Sequence, residues 1–481
     1  DLHRRRHSFP TRRSSDLLNT FSKRGQVSSL CGSGAPAAID ARSLPAIAPR
    51  AGLLQTALTA LFATLPAIVL AAPDAGSVLQ QLEARPGGNL VAPKLKTPQV
   101  PTPPASDQGG PVLRVNAFRF EGQTLLSPQT LQAALAGFTG RDLSLTQLQE
   151  AAWVIVQTYR NAGWLAHALV PQQEIEGGVV TLRVVEARLG QVRLEFAPGN
   201  LPRERIQAMA NAQLAVGQTI NLEQLDRLLL LLGDMPGMVA NASFAEGAQP
   251  GSTDVVILLG QDKAFEASIS LDNFGAISTG RERLSASLTV NNHTGACDAM
   301  QLQGVRTQGS EYGRVAWTFP VGLQGWRAGL HASNMHYHLV GSFAALQAGG
   351  SAQGWGLDLS APLIRRPERN LTAQLTADRK RFDNQALANT AATEATTVSH
   401  YGLDVLRAGL SGNWLDAWLS PAQNTVSVQA SWGRVDLSQS PNALSDANAA
   451  QTAGRYSKLN TNYNRDQSLT TQTSAYVQAG A

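Results

Sequence analysis

Cysteine is almost missing from this chain: 481 residues contain two, Cys31 and Cys297. Cys31 precedes the expected cleavage point described below, so an exported form keeps one thiol and no internal disulfide can form, which excludes the stapled secreted folds. Cys297 follows Asn292-His293-Thr294-Gly295-Ala296, a turn, and reads as an incidental loop residue. Charge is sparse at 15%, and the net +4 is uneven: residues 1–50 hold nine Lys or Arg against three Asp, which leaves −2 for the rest. That excludes a basic nucleic-acid-binding surface on the folded part. No nucleophile elbow, no Gly-rich phosphate loop between strand and helix and no Cys/His cluster at metal spacing appears. No catalytic residue, metal ligand or cofactor is therefore expected. His336 and His338 share a strand face but read as a barrel-rim or loop pair. Long apolar runs are confined to residues 51–70, and the mean hydropathy of −0.12 despite 43% hydrophobic residues excludes a helical membrane bundle. The balance suits strands that are apolar on one face only.

The start has its own signals. Phe9-Pro10-Thr11-Arg12-Arg13-Ser14-Ser15-Asp16-Leu17 resembles the translation of a sequencing-adapter oligonucleotide, so residues 1–17 are set aside as an expected artefact. Met is absent before Met209. Residues 18–72 read as a leader: Arg50, an Ala/Leu-rich core over 51–70 and the small residues Ala71 and Ala72 have the order of a secretory signal peptide, with the exported form beginning near Pro73. Residues 73–85 then predict a short helix with Val78, Leu79 and Leu82 on one side and Gln80, Gln81 and Glu83 on the other. Pro86, Pro93, Pro98, Pro101, Pro103 and Pro104 make residues 86–111 a semi-rigid linker.

Two tandem β-α-α-β-β units follow, over 112–187 and 188–262. In the first, Phe118-Arg119-Phe120 ends a strand at Gly122, Ser127-Pro128 opens a helix, and Ser144 with Gln147 has capping-box spacing before Leu148, Ala152, Ile155 and Tyr159. Strands are expected over Leu165–Val170 and Val179–Val185. The second shows strand Val192–Phe196, helix Pro202–Ala212, a stripe of Leu222, Leu225, Leu229 and Leu232 behind Asn221, and strands Val239–Phe244 and Asp254–Leu259.

From residue 263 to 481 helices give way to period-two alternation in about eleven segments. Leu284, Ala286, Leu288 and Val290 alternate with Ser285, Ser287 and Thr289; Leu371, Ala373, Leu375 and Ala377 with Thr372, Gln374, Thr376 and Asp378. An apolar face backed by a polar one over about ten residues is the signature of a transmembrane barrel with a wet lumen. Arg283, Arg314 and Arg327 on the polar face are tolerated where water fills the interior. Asp272 with Arg281 reads equally as a pore ion pair or as mere hairpin solvation. Such barrels close with an even number of strands, so an odd count ending within an alternating run reads as a C-terminally truncated barrel.

The parts together resemble the TpsB transporters of two-partner secretion, the haemolysin secretion/activation proteins, in the superfamily that includes the BamA insertase. The resemblance spans residues 73–481 and rests on Pro73-Asp74-Ala75-Gly76, on Tyr159-Arg160-Asn161-Ala162-Gly163-Trp164 through Pro171-Gln172-Gln173, on Leu271-Asp272-Asn273-Phe274-Gly275 with Thr279-Gly280-Arg281, and on Pro362-Leu363-Ile364-Arg365. It implies two periplasmic POTRA repeats, a barrel of about sixteen antiparallel strands with about eleven present, and a resting plug helix carried by Val78, Leu79 and Leu82. The barrel motif would be Asp272, Asn273, Gly275, Gly280 and Arg281. The family's Val-Arg-Gly-Tyr or Val-Arg-Gly-Phe motif, which follows the eleventh strand, is absent, and the sequence stops about where it should begin. The implied partners are outer-membrane lipid and a large haemolysin- or adhesin-type exoprotein with an N-terminal secretion domain, with no nucleotide and no nucleic acid. Extended clients are expected at exposed sheet edges, for which Thr181 and Arg183 in the first unit and Val239 and Phe244 in the second are the candidates. An outer-membrane assembly insertase or a passive porin is the alternative reading.

Overall fold

A computed structural model describes residues 73–83, 112–387, 394–470 and 473–480. The expected artefact, leader and linker lie outside the described residues. The first described element is helix α1, Ala75–Glu83.

The first repeat comprises β1 (Val112–Val115), β2 (Ala117–Glu121), α2 (Pro128–Ala134), β3 (Arg141–Ser144), α3 (Leu145–Asn161), β4 (Ala166–Leu169) and β5 (Val179–Glu186). Both helix starts follow from their caps. Ser127 accepts from the Thr130 amide with Pro128 behind it, and Ser144 exchanges hydrogen bonds with Gln147 in a capping box. Helix α3 buries Leu148, Ile155 and Tyr159 against Phe118, Phe120, Val180 and Leu182. Beside the main sheet, β1 and β3 form a two-stranded antiparallel pair that period-two reading missed, because four residues are too few to show alternation.

The main sheet has the order β2-β5-β4, with β5 parallel to β2 and antiparallel to β4. This corrects the expectation of an edge over Val179–Val185. Strand β5 is central: Arg183 stands between Glu121 and Leu169, and the Thr181 amide donates to Gln173 Oε1 at 2.7 Å while its carbonyl accepts from Gln173 Nε2 at 2.8 Å. Alternation of Val180, Leu182 and Val184 reports one buried face and carries no information about neighbours in the hydrogen-bonding direction.

The second repeat has the same topology, with β6 (Arg188–Phe196), α4 (Arg203–Gln213), α5 (Leu222–Gly233), β7 (Met238–Glu246) and β8 (Ser252–Gln261) in the sheet order β6-β8-β7. Here β7 is an edge. The two repeats are tied by main-chain bonds from Leu165 to Ile220 (3.2 Å), from Ile220 to Ala187 (2.9 Å) and from Leu222 to Gly163 (2.8 Å).

Eleven antiparallel strands then form one sheet in strict chain order. They are β9 (Phe265–Asp272), β10 (Arg283–Asn291), β11 (Ala299–Arg306), β12 (Ser310–Val321), β13 (Trp326–His338), β14 (Gly349–Arg365), β15 (Arg369–Leu387), β16 (Ala395–Asp416), β17 (Ala422–Asp436), β18 (Gly454–Ser468) and β19 (Ser474–Gly480). A short helix, α6 (Ala443–Asn448), stands between β17 and β18. Each register places the apolar residues of neighbouring strands in rows, such as Leu330 beside Leu357 and Leu406 beside Trp432. These side chains are exposed, at 46%, 57%, 44% and 50%. A sheet that turns such a surface outward is built to face lipid. No described helix is long and apolar enough to cross a membrane, and the strands take that role.

Glu186 closes the first repeat. Its carboxylate accepts from the Thr124 amide (2.6 Å), the Leu125 amide (2.8 Å), the Tyr159 hydroxyl (2.9 Å) and the Thr124 hydroxyl. Desolvation by itself would raise its pKa, but the Thr124, Leu125 and Tyr159 donors together hold it below the usual glutamate value. A depressed folded-state pKa contributes stability above the ordinary glutamate range that is lost as pH falls through the folded value. Glu186→Ala should cost about 1 kcal/mol near pH 7, since several charge-assisted bonds are lost from a partly solvated site. Hydrogen exchange of the β2 and β5 amides in the full chain checks this. The difference from the parent should shrink toward pH 3, and a constant difference would contradict the assignment.

Candidate functional site: the helix on the inner wall and the docked repeat

Helix α1 lies on the polar face of the sheet, against β13, β14 and β15. Asp74 caps it. The Ser77 amide donates to Asp74 Oδ1 at 2.9 Å, and the Asp74 amide donates to Ser77 Oγ at 3.1 Å. Ala75, Val78 and Leu79 are buried against Val305, Tyr312, Met335, Tyr337, Ala352 and Phe382, with Leu82 partly buried at the margin. Gln80 and Gln81 are exposed. Polar contacts fasten both ends. The Ala75 amide donates to Asn384 Oδ1 (2.7 Å), the Tyr337 hydroxyl to the Pro73 carbonyl (3.2 Å) and the Tyr401 hydroxyl to Asp74 (3.3 Å); Glu83 pairs with Lys380 at 2.6 Å. Gly76 lets the helix approach the wall closely, since a Cβ there would meet the Tyr401 hydroxyl at 2.8 Å.

Beyond Glu83 the wall is charged but internally matched. His331 bridges Asp358 (2.7 Å) and Asp378 (2.9 Å), Thr376 donates to Asp358 (3.1 Å), and Arg407 pairs with Asp378. With Arg314, Lys380 and Glu83 these groups line a polar cavity of about 370 Å³.

The barrel motif forms a folded turn. Of the two readings of Asp272 and Arg281, the ion pair does not form: Asp272 pairs with Arg283 (3.1 Å), its direct cross-strand partner. Arg281 supplies a carbonyl to the Gly275 amide at 2.9 Å, and Asn273 is exposed. Gly280 has φ +106, and a Cβ there would meet Gln308 at 2.7 Å. The turn thus packs on the next one, with the Thr279 carbonyl accepting from the Gly309 amide (2.7 Å) and the Thr307 hydroxyl (2.6 Å).

At the opposite end of the strands the second repeat docks on the turns. Arg365 forks onto Asp234 (2.7 and 2.6 Å), Arg366 pairs with Glu223 (2.7 Å), and Arg205 donates to the carbonyls of Pro320 (3.1 Å) and Gly322 (3.2 Å). Arg327, expected to face open water, donates instead to the Asp234 carbonyl at 2.9 Å. Cys297 is not incidental: it is fully buried in the core of the second repeat, and burial pushes its thiol up to about 11. The stretch Pro362-Leu363-Ile364-Arg365, noted in the sequence only for its family resemblance, supplies the arginine that reaches Asp234 at the end of α5.

Of the client candidates, Thr181 and Arg183 sit on the central strand β5. Val239 and Phe244 sit on the edge strand β7, where Val239 is 40% exposed while Phe244 packs on the core. His336 and His338 are exposed on the outward face. Among the described residues no group of three or more His, Cys, Asp or Glu could hold a metal ion.

The Arg365–Asp234 fork predicts a coupled pair. Arg365→Ala and Asp234→Ala should each speed hydrogen exchange over 222–234, and the double variant should add little, with a coupling of about 1 kcal/mol. Full additivity would show that the two side chains act independently.

Comparison with known proteins agrees with this architecture. The profile of the haemolysin secretion/activation protein family ShlB/FhaC/HecB matches residues 251–480, and that of the ShlB-type POTRA domain matches residues 113–187. The heme/hemopexin transporter protein HuxB of Haemophilus influenzae (strain 86-028NP) is 28% identical over 378 residues, covering 76% of this chain and 65% of the relative. The outer membrane transporter CdiB of Dickeya dadantii (strain 3937) is 26% identical over 190 residues, 39% of this chain and 33% of the relative. The chain thus spans just under two thirds of the length of HuxB. The solved structure of CdiB from Escherichia coli shares the fold at a TM-score of 0.51 and 18% identity, covering 91% of this chain and 78% of that one. Residues 251–480 are thus similar to the ShlB/FhaC/HecB haemolysin secretion/activation proteins and residues 113–187 to their POTRA domain, with a second repeat of like topology and an outward-apolar antiparallel wall on the same chain.

Proposed function

We propose that the protein exports one large partner exoprotein, of the haemolysin or adhesin type, across the outer membrane, with its POTRA repeats in the periplasm and no covalent chemistry. The observation that carries this reading is the capped helix α1 held on the inner wall by contacts that are individually weak. The ion pair to Lys380 is worth about 1 kcal/mol or less, and a buried Val or Leu side chain about 1.5–3 kcal/mol. Such a plug is stable at rest and displaceable by a client. The charge-matched wall around His331 presents paired groups to a passing chain, so an unfolded segment meets hydrogen-bonding partners without a deep apolar trap. The partner enters through its N-terminal secretion domain while that segment is extended. Strand β7 supplies the edge, since its unpaired side offers main-chain groups to an added strand and Val239 flanks them.

Two outcomes are expected. In planar bilayers Lys380→Ala should raise the open fraction about two- to fivefold, the equivalent of a surface ion pair, while Leu79→Asp should hold the channel open. Unchanged conductance in both variants would remove the plug role. In calorimetry the full chain should bind the unfolded N-terminal segment of its partner, and Val239→Lys should weaken that binding several-fold, as charge on an edge discourages strand addition. Binding that ignores this substitution would move recognition away from β7.

A further inference from the structure

We infer that the outward face of β14–β18 carries a binding site for a phosphomonoester-bearing lipid in the leaflet remote from the POTRA repeats. Two adjacent rows of the ladder make the site. The first runs Leu357, Ala377, Leu406 and Trp432 across four strands in direct register. Ala377 is the smallest of these, so the row has a hollow in its middle, and with Trp355 beside it the hollow measures about 630 Å³. It opens outward, toward acyl chains. The next row, two residues along each strand, runs Trp355, Arg379, Asp404, Arg434 and Arg455. Apolar surface therefore gives way to guanidinium groups in a single step, with Trp355 and Trp432 at the boundary where an indole prefers to sit.

Position along the strand agrees with a membrane boundary. Strand β15 starts at Arg369, next to the turn whose Arg366 pairs with Glu223 of the second repeat, and Arg379 lies ten residues further on. Ten residues at about 3.3 Å with a tilt near 45° rise about 23 Å, close to the apolar band of roughly 25 Å on such barrels.

The charges do not balance within the row. Asp404 is engaged by Arg379 through both oxygens, at 2.6 and 2.9 Å. Arg434 faces Asp404 from the other side and Arg455 faces Arg434, so two arginines are direct cross-strand partners. Like charges in that relation destabilise a sheet. The further acid on this side, Asp436, accepts from the Ser438 amide at 2.9 Å. Among the described residues neither Arg434 nor Arg455 has a carboxylate within ion-pair distance. A phosphomonoester carries about −1.5 to −2 and can take a fork from each arginine, whereas a phosphodiester supplies a single charge. The chemistry thus selects an acylated phosphomonoester over a phosphodiester lipid.

Native mass spectrometry of the full chain in detergent tests the site, with folding verified by heat-modifiable mobility. The probes are bisphosphorylated lipid A, the same lipid with its phosphates removed, and phosphatidylglycerol. The chain should retain the phosphorylated lipid A about tenfold more strongly than either of the others. Arg434→Gln with Arg455→Gln should abolish that preference, while Arg434→Lys with Arg455→Lys should keep part of it, which separates loss of charge from loss of fold. Arg306→Gln, at an outward arginine already paired with Glu311, should change nothing. Equal retention of the dephosphorylated lipid, or a preference that survives the double glutamine variant, would overturn the site; a preference for phosphatidylglycerol would overturn the phosphomonoester assignment.

Discussion

The constraint on which the rest depends is that a strand crossing a bilayer must pair every main-chain group with its neighbours while its side chains alternate between lipid and interior. Period two then fixes what each face can do. Leu330, Leu357, Leu406 and Trp432 face outward because the odd-even partition leaves them there, and His331, Asp358, Asp378 and Arg407 face inward for the same reason. An interior made this way is polar by default. A helix resting on it cannot rely on apolar burial alone, and α1 is accordingly pinned by Asn384, Tyr337, Tyr401 and Lys380 around a small patch of Ala75, Val78 and Leu79.

What could be read in advance follows the range of each signal. Caps and alternation act over three to eight residues, so the starts at Ser127, Ser144 and Asn221, the repeat and the alternating wall were all legible in the sequence. Pairing in the hydrogen-bonding direction is non-local. Nothing near Thr181 says that β2, folded sixty residues earlier, will lie alongside it, and the candidate edge there became the middle of a sheet. The same limit left the partner of Asp272 undecided, since Arg281 and Arg283 are both near in sequence and register alone selects Arg283. The docking of α5 through Asp234 and Arg365 was also out of reach: the two residues are 131 apart and each alone looks like ordinary surface charge.

The repeats and the wall are joined in different ways. Between the repeats the bonds are main chain to main chain, around Leu165, Ala187, Ile220 and Leu222, and they do not depend on the side chain carried unless it is proline. Between the second repeat and the wall the contacts are arginines reaching carbonyls and carboxylates, which are exchangeable and screened by salt. If the molecule flexes, the charged seam at the turns yields before the braid between the repeats.

The strands are also unequal, and their lengths shape the exit. Strand β16 runs for 22 residues and β15 for 19. About ten residues suffice to cross the hydrocarbon at this tilt. The surplus continues beyond the arginine row as a palisade, standing on the order of 20 Å above the lipid on this side. Under the proposed export function, a polypeptide emerging there would leave the bilayer before it left the wall. Its first half-dozen residues would be screened on one side from neighbouring molecules, so that folding would begin at a distance from the membrane, where a growing tip has room to turn back on itself.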